Sequence, residues 1–158
     1  MKSLVVYDSV FGNTEEIARA IAGVLASAGE VKAARVADVE SRDLDGVDLL
    51  VVGSPTRAFR ATPATMAFVK GLPPRSLAGV RVAAFDTRVD VAKVESKALT
   101  FMVKLFGYAA APIAKQLEKR GGLRAAVPTG FFVSDKEGPM AEGERDRAEA
   151  WARTLTTG

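Results

Sequence analysis

Residues 4–18 read LVVYDSVFGNTEEIA, and this stretch decides the fold. Its first four residues form a short apolar run, which is typical of a β-strand buried on both faces of a parallel sheet. Apolar side chains then recur at the spacing of an amphipathic helix, at Ile17, Ile21, Val24, Leu25 and Ala28. Small and polar residues fill the turn between the two patterns. The stretch therefore predicts a strand, a loop and a helix in immediate succession.

Further along the chain, β-branched runs alternate with helix-period stretches. The other predicted strands span residues 31–36, 47–53, 80–86 and part of 125–133, where Pro128 and Gly130 indicate a break or bulge. Helical spacing recurs at Val94, Ala98, Phe101, Met102, Leu105 and Phe106, then over 109–120, and finally at Ala148, Trp151, Ala152 and Leu155. We predict one α/β domain over residues 1–158, with a doubly wound sheet of five parallel strands and helices on both faces.

The chain contains no cysteine and no histidine. This composition excludes a thiolate nucleophile, a Ser-His-Asp triad, an iron–sulfur cluster and a histidine-bound zinc ion. We expect no metal site, and reactivity is most easily supplied by an organic cofactor. The N-terminal apolar run is too short for a signal peptide or a membrane span, so we expect a cytoplasmic protein that does not bind membranes.

Positive charge is concentrated late in the chain, whose net charge is +3. Residues 93–124 hold seven basic side chains against two acidic ones. Two interpretations of this stretch remain open: a solvated helix face, or a docking surface for an acidic partner or nucleic acid. We expect the solvated face, and no nucleic-acid binding.

The loops that follow strands one, three and four carry the candidate site, because open parallel sheets bind ligands beyond the carboxyl ends of their strands. The first loop consists of Ser9, Val10, Phe11, Gly12, Asn13 and Thr14. Its hydroxyl and amide groups, together with backbone N–H groups at the positive end of a helix, predict a phosphate site. In an alternative interpretation, Asn13 only caps the helix and Glu16 completes a capping box. The chain lacks the Gly-x-x-x-x-Gly-Lys-Ser/Thr and Gly-x-Gly-x-x-Gly motifs, which disfavours ATP, GTP and Rossmann-type NAD sites.

Residues 5–18 resemble the flavodoxin signature, in which two apolar residues and an aromatic residue lead into the FMN phosphate loop. Val51-Val52-Gly53-Ser54-Pro55-Thr56 is similar to the start of the flavodoxin loop that covers one face of the isoalloxazine ring. The resemblance implies the flavodoxin-like strand order 2-1-3-4-5 and FMN as the cofactor. It places the ring between two further segments, Pro55, Thr56, Arg57, Ala58 and Phe59 on one side, and Asp86, Thr87, Arg88, Val89 and Asp90 on the other.

By this resemblance the function is electron transfer by an FMN-binding protein. Flavodoxins carry electrons between a reductase and an acceptor redox enzyme, so we expect a flavodoxin reductase and an acceptor enzyme as partners, and a monomer. Two alternatives remain open. One is an FMN-dependent NAD(P)H:quinone-type reductase, and the other is a flavodoxin-like interaction module without cofactor.

The chain departs from the flavodoxin pattern around the ring. Of the two ring segments, only the first contains an aromatic residue, Phe59, and Val89 or the Arg88 guanidinium is a candidate to cover the other face. Arg57-Ala58-Phe59 lacks the glycine that the family often has there, so a left-handed backbone is expected to be costly. Arg57, Arg60 and Arg88 are expected to raise the second reduction potential, unless they pair with Asp86 and Asp90 or point to solvent.

Overall fold

A computed structural model describes residues 1–90, 97–98, 100–101 and 107–157. Its strands are all parallel, and they are β1 (Lys2–Tyr7), β2 (Glu30–Arg35), β3 (Leu49–Pro55), β4 (Arg81–Val89), β5 (Leu123–Arg124) and β6 (Thr129–Val133). The sheet runs in the order β2-β1-β3-β4, and β5 and β6 both pair with the free edge of β4. The strand order 2-1-3-4-5 implied by the sequence is confirmed.

The fifth strand is interrupted, as Pro128 and Gly130 predicted. Its first part, β5, pairs with residues 81–82 of β4, and its second part, β6, pairs with residues 85–89. A proline has no N–H to donate to a neighbouring strand, so pairing stops before Pro128 and resumes after it.

Helices cover both faces of the sheet. They are α1 (Asn13–Leu25), α2 (Pro63–Gly71), α3 (Ala110–Lys119) and α4 (Glu144–Leu155), and short 3-10 turns lie at Ala26–Ala28, Val36–Asp38 and Ser41–Leu44. Helices α1 and α4 pack on the face that carries Val5, Val51 and Phe85, whereas α2 and α3 pack on the opposite face. The sequence patterns that predicted α1, α3 and α4 are confirmed.

The sequence patterns named above did not predict α2, although its start carries a clear signal. The Thr62 hydroxyl accepts the N–H of Thr65 at 3.3 Å, and Pro63 occupies the first turn. A threonine cap followed by proline is a typical helix start.

An aromatic cluster fills the core beneath α1 and α4. Phe85, Phe131 and Trp151 pack edge to face, with ring centroids 6.0 to 6.2 Å apart. The ring of Phe85 lies against the backbone of Gly53, where a Cβ atom would overlap it. Gly53 therefore lets the end of β3, which leads to the candidate site, approach β4 closely.

Two sequence predictions fall partly outside the described residues. The predicted helix through 94–106 has two described members, Ala98 and Phe101, and both are helical and exposed. In the basic stretch 93–124, Arg120 donates hydrogen bonds to the carbonyl oxygens of Lys70 and Leu72, and Arg124 pairs with Glu118. The described arginines of this stretch are therefore engaged within the protein itself.

Candidate functional site

A cleft of about 370 Å³ opens at the carboxyl ends of β1, β3 and β4. Its wall consists of Ser9, Val10, Phe11, Asn13, Thr14, Pro55, Thr56, Arg57, Ala58, Thr87, Arg88, Val89, Val133 and Lys136. The three predicted segments, which are distant in sequence, therefore meet in one place. Among the predicted site residues, Gly12, Phe59, Asp86 and Asp90 do not form part of the wall.

The loop after β1 turns tightly around the Ser9 hydroxyl. Ser9 Oγ accepts the N–H of Gly12 at 3.1 Å and that of Glu15 at 3.4 Å. Gly12 has a φ of 93°, a left-handed conformation that favours glycine. Helix α1 begins directly after it, so the N–H groups of Asn13 and Thr14 have no acceptor within the helix and lie at its positive end.

The alternative role for Asn13 as a helix cap is wrong. The cap residue of α1 is Gly12, which has no side chain, and the first-turn N–H of Glu15 is bound by Ser9 Oγ and not by Asn13. The Asn13 amide instead donates to the carbonyl oxygen of Glu137, at 3.1 Å. Asn13 therefore joins the loop after β1 to the loop after β6.

A pair of buried hydroxyls joins the loop after β1 to β4. Thr14 Oγ1 and Thr87 Oγ1 lie 2.8 Å apart, and both side chains are buried. One hydroxyl donates to the other, so a hydrogen atom of the pair remains for a further acceptor. This pair fixes the first turn of α1 against the strand that forms the opposite wall.

Glu15, in the same turn, is neutralised by two arginines. Its carboxylate accepts from Arg19 at 3.0 Å and from Arg35 at 2.8 Å. The hydrogen bond from Arg19 lowers the pKa of Glu15 below its ordinary value, and burial opposes this. Arg35 also donates to the carbonyl oxygen of Ser9, at 3.1 Å, so the end of β2 supports the turn.

The second wall is a hairpin that follows β3. Arg57 and Arg60 exchange backbone hydrogen bonds of 2.8 and 3.0 Å, and the residues between them, Ala58 and Phe59, have φ angles of 48° and 68°. Two positive φ values define a type I′ turn, which strongly favours glycine or asparagine. The sequence predicted that a left-handed backbone would be energetically costly at Arg57-Ala58-Phe59. Ala58 and Phe59 nevertheless adopt this conformation, and Ala58 lines the cleft.

The third wall differs from the prediction in its secondary structure. Strand β4 extends to Val89, so Thr87, Arg88 and Val89 belong to a strand and not to a loop, and Pro55 likewise belongs to β3. The extension exists because residues 85–89 pair with 129–133 of β6. Val89 pairs with Val133, and both residues belong to the wall, where the sequence predicted Val89 but not Val133.

Arg88 forms an ion pair and is not free to cover a flat ring. Its Nε and Nη2 donate to the two carboxylate oxygens of Asp86 at 2.6 and 2.7 Å, and its guanidinium lies 3.6 Å from the centre of the Tyr108 ring. It also crosses the backbone of Gly130, where a Cβ atom would overlap it. For Arg88 the alternative prediction, pairing with Asp86, is correct.

Asp86 is fully buried beneath the cleft. Burial raises the pKa of its carboxyl, whereas Arg88, the N–H of Ala110 and the hydroxyl of Thr56 oppose that shift. Ala110 donates to Asp86 Oδ2 at 2.9 Å from the start of α3. Asp86 therefore supports the wall from below and has no direct access to a ligand.

The charges on the wall are all positive in the part of the chain that the structure describes. They belong to Arg57, Arg88 and Lys136, and no carboxylate accompanies them on the wall. Because Asp86 compensates Arg88, two cations remain for a ligand. Lys136 was not predicted, since nothing near it in sequence marks it as a site residue.

A family model for the flavodoxin domain matches residues 4–128. The chain belongs to the flavodoxin domain family. FMN is the cofactor of this family and therefore of this chain, and at family level the protein is an FMN-binding electron-transfer protein. No curated protein gives a significant sequence match. None of the helices in the described part of the chain has the length and apolarity that a membrane span needs.

Several solved flavodoxin structures share this fold. An archaeal flavodoxin superimposes with a TM-score of 0.70 at 23% identity, covering 98% of this chain and 99% of that one. Oxidised flavodoxin 2 from Bacillus cereus superimposes with a TM-score of 0.70 at 21% identity, covering 98% of this chain and 97% of that one. Rubredoxin oxygen:oxidoreductase from Desulfovibrio gigas superimposes with a TM-score of 0.73 at 20% identity, and this chain spans only 35% of the length of that protein.

The cleft fits the flavin of this family. One end offers the hydroxyl of Ser9 and the N–H groups of the first turn of α1, which suit a phosphate. The other end offers apolar surface from Pro55, Ala58 and Val89, which suits a flat ring. The volume lies within the range of about 300 to 1,000 Å³ that is usual for small-molecule sites.

Proposed function

We propose that this chain is a flavodoxin that binds FMN in the cleft and carries electrons between a reductase and an acceptor redox enzyme. One observation supports the proposal most strongly. The turn at 9–14, which suits a phosphate, and the two walls that suit the flavin ring line the same cleft. Among the described residues, no carboxylate lines this cleft. The chain offers no thiol or imidazole for chemistry of its own, so the reactivity comes from the cofactor.

Each part of the cleft has a distinct role in this proposal. Ser9 and the N–H groups of Asn13 and Thr14 bind the phosphate, and the 55–58 wall and Val89 hold the two faces of the ring. FMN, when bound, supplies reversible one- and two-electron transfer. The surrounding apolar side chains exclude water from the ring, and Arg57 places positive charge close to it.

Retention of flavin tests the proposal. The purified protein is incubated with FMN and desalted, and its visible absorption spectrum is recorded. We expect a flavin spectrum at one FMN per chain for the wild type and a strongly reduced yield for S9A. The S27A variant serves as a matched control, because Ser27 is exposed and donates to the Val24 carbonyl, far from the cleft. A colourless wild-type protein would contradict the proposal and favour an interaction module without cofactor.

A second measurement separates a carrier from an enzyme. The FMN-loaded protein is mixed with NADPH or NADH, with and without a flavodoxin reductase. A carrier is reduced only when the reductase is present. Rapid oxidation of NAD(P)H by the protein alone, with a quinone as acceptor, would assign it instead to the FMN-dependent reductases.

A further inference from the structure

The loop at 134–143, which joins β6 to α4, is attached to the phosphate turn. The Asn13 amide donates to the carbonyl oxygen of Glu137 at 3.1 Å, across 124 residues of sequence. The Asn13 side chain also lies against the Cα atom of Gly138, where a Cβ atom would overlap it. The backbone on both sides of this contact is therefore held close to residues 9–14.

This attachment brings Lys136 to the cleft. Lys136 shares the wall with Ser9, Asn13 and Thr14. Within the described residues, Lys136 forms no ion pair, although Asp135 and Glu137 flank it in sequence. Its backbone N–H, and not its ammonium group, is bonded to the Asp135 carboxylate, at 2.7 Å. Lys136 is thus a cation of the cleft wall without a carboxylate partner among the described residues.

Three arginines near the turn are already compensated. Arg35 and Arg19 pair with Glu15, and Arg88 pairs with Asp86. Arg57 lies on the hairpin wall with its guanidinium 5.8 Å from the Phe11 ring centre. A phosphomonoester carries up to two negative charges, and a helix N-terminus supplies only about half a positive charge. A cation beside the turn would therefore add countercharge at this end.

We propose that Lys136 binds the phosphate of FMN and makes the cleft selective for the phosphorylated flavin over riboflavin. The inference rests on the proposed function, because it assigns a phosphate-binding residue to the same cleft. An ammonium–phosphate contact at a partly exposed site contributes modestly to the free energy of binding. Replacing Lys136 should therefore lower the selectivity for FMN over riboflavin by a measurable factor and leave the fold intact.

Parallel titrations with FMN and riboflavin test this assignment, since the two ligands differ only by the phosphate. Dissociation constants are measured by the quenching of flavin fluorescence in wild type, K136Q, K136R and K136E. We expect K136Q to lower the affinity for FMN about fivefold and to leave the affinity for riboflavin unchanged. K136E should bind FMN more weakly still, and K136R should bind it about as tightly as wild type. In K136Q the decrease of FMN affinity with added salt is smaller than in wild type.

K115Q is the matched control, because Lys115 is an exposed lysine on α3 that does not line the cleft. It leaves both affinities at their wild-type values. If wild type binds FMN but K136Q keeps the wild-type ratio of the two affinities, the role of Lys136 is refuted and the proposed function stands. If wild type binds neither flavin, the proposed function itself fails.

Discussion

Asp86 and Arg88, two residues apart on β4, form a bidentate ion pair with distances of 2.6 and 2.7 Å. The carboxylate is fully buried, whereas the Arg88 side chain is 18% exposed. Such a pair adds little to the stability of a fold compared with well-packed apolar side chains in its place. Removing one partner, however, leaves an uncompensated buried charge. The pair also connects the cleft wall to α3, through the N–H of Ala110.

We therefore expect R88L to lower the free energy of unfolding by about 3 kcal/mol, because it leaves the Asp86 carboxylate without its partner. Urea denaturation of the apoprotein measures this loss. The double variant D86N/R88L removes both charges and keeps an acceptor for Ala110, so it loses less stability than the sum of the losses in D86N and R88L. Additive losses would show that the two residues are not coupled.

Arg57 is the cation on the ring-side hairpin, and it has no carboxylate partner in the described part of the chain. Positive charge near the ring stabilises the reduced anionic flavin. We expect R57Q to lower the second reduction potential of bound FMN by on the order of 30 mV. R60Q is the control, because Arg60 is exposed and does not line the cleft. Equal potentials in wild type and R57Q would remove Arg57 from this role.

The conformation of Gly12 gives a test of the phosphate turn. Gly12 and Gly79 have φ angles of 93° and 80°, and an added Cβ atom would meet no other atom at either position. G12A and G79A should therefore each cost about 1 kcal/mol of stability, through the left-handed backbone alone. Only G12A should weaken FMN binding, because Gly79 precedes β4 at the opposite end of the sheet from the cleft. Similar FMN affinities for the two variants would argue against the turn as the phosphate site.

Glu15 makes stability depend on pH. Its hydrogen bond with Arg19 lowers its pKa from the ordinary value of 4.5, so the folded state binds this proton less tightly than the unfolded chain. The stabilisation is complete above about pH 4.5 and is lost as the pH falls through the folded-state pKa. E15Q should be less stable than wild type by about 0.5 kcal/mol at pH 7, and the difference should shrink as the pH falls below about 4.5. E16Q, which removes the charge of an exposed neighbour, is the matched control in the same urea titrations at pH 7.

The sequence predicts the sheet well because local patterns determine it. The buried strands β1, β3 and β4 contain short apolar runs, and the turn at 9–14 lies directly between a strand and a helix. The extension of β4 to Val89 could not be predicted in this way, because it depends on pairing with β6, more than 40 residues away. Lys136 was missed for the same reason, since only the contact between Asn13 and Glu137 brings it to the cleft. The pairing of Arg88 was predicted only as an alternative, because sequence does not show which acidic side chain is within reach.

The hairpin at 57–60 gives the last test, since Ala58 has a φ of 48°. A left-handed conformation costs alanine about 1 kcal/mol, and glycine avoids this cost but loses more chain entropy on folding. We expect A58G to raise the free energy of unfolding by about 0.5 kcal/mol. A150G is the matched control, because Ala150 is an exposed residue within α4, where glycine should cost about 1 kcal/mol. The same substitution should thus have opposite signs at the two positions. A loss in A58G as large as that in A150G would show that the hairpin does not hold its left-handed turn in solution.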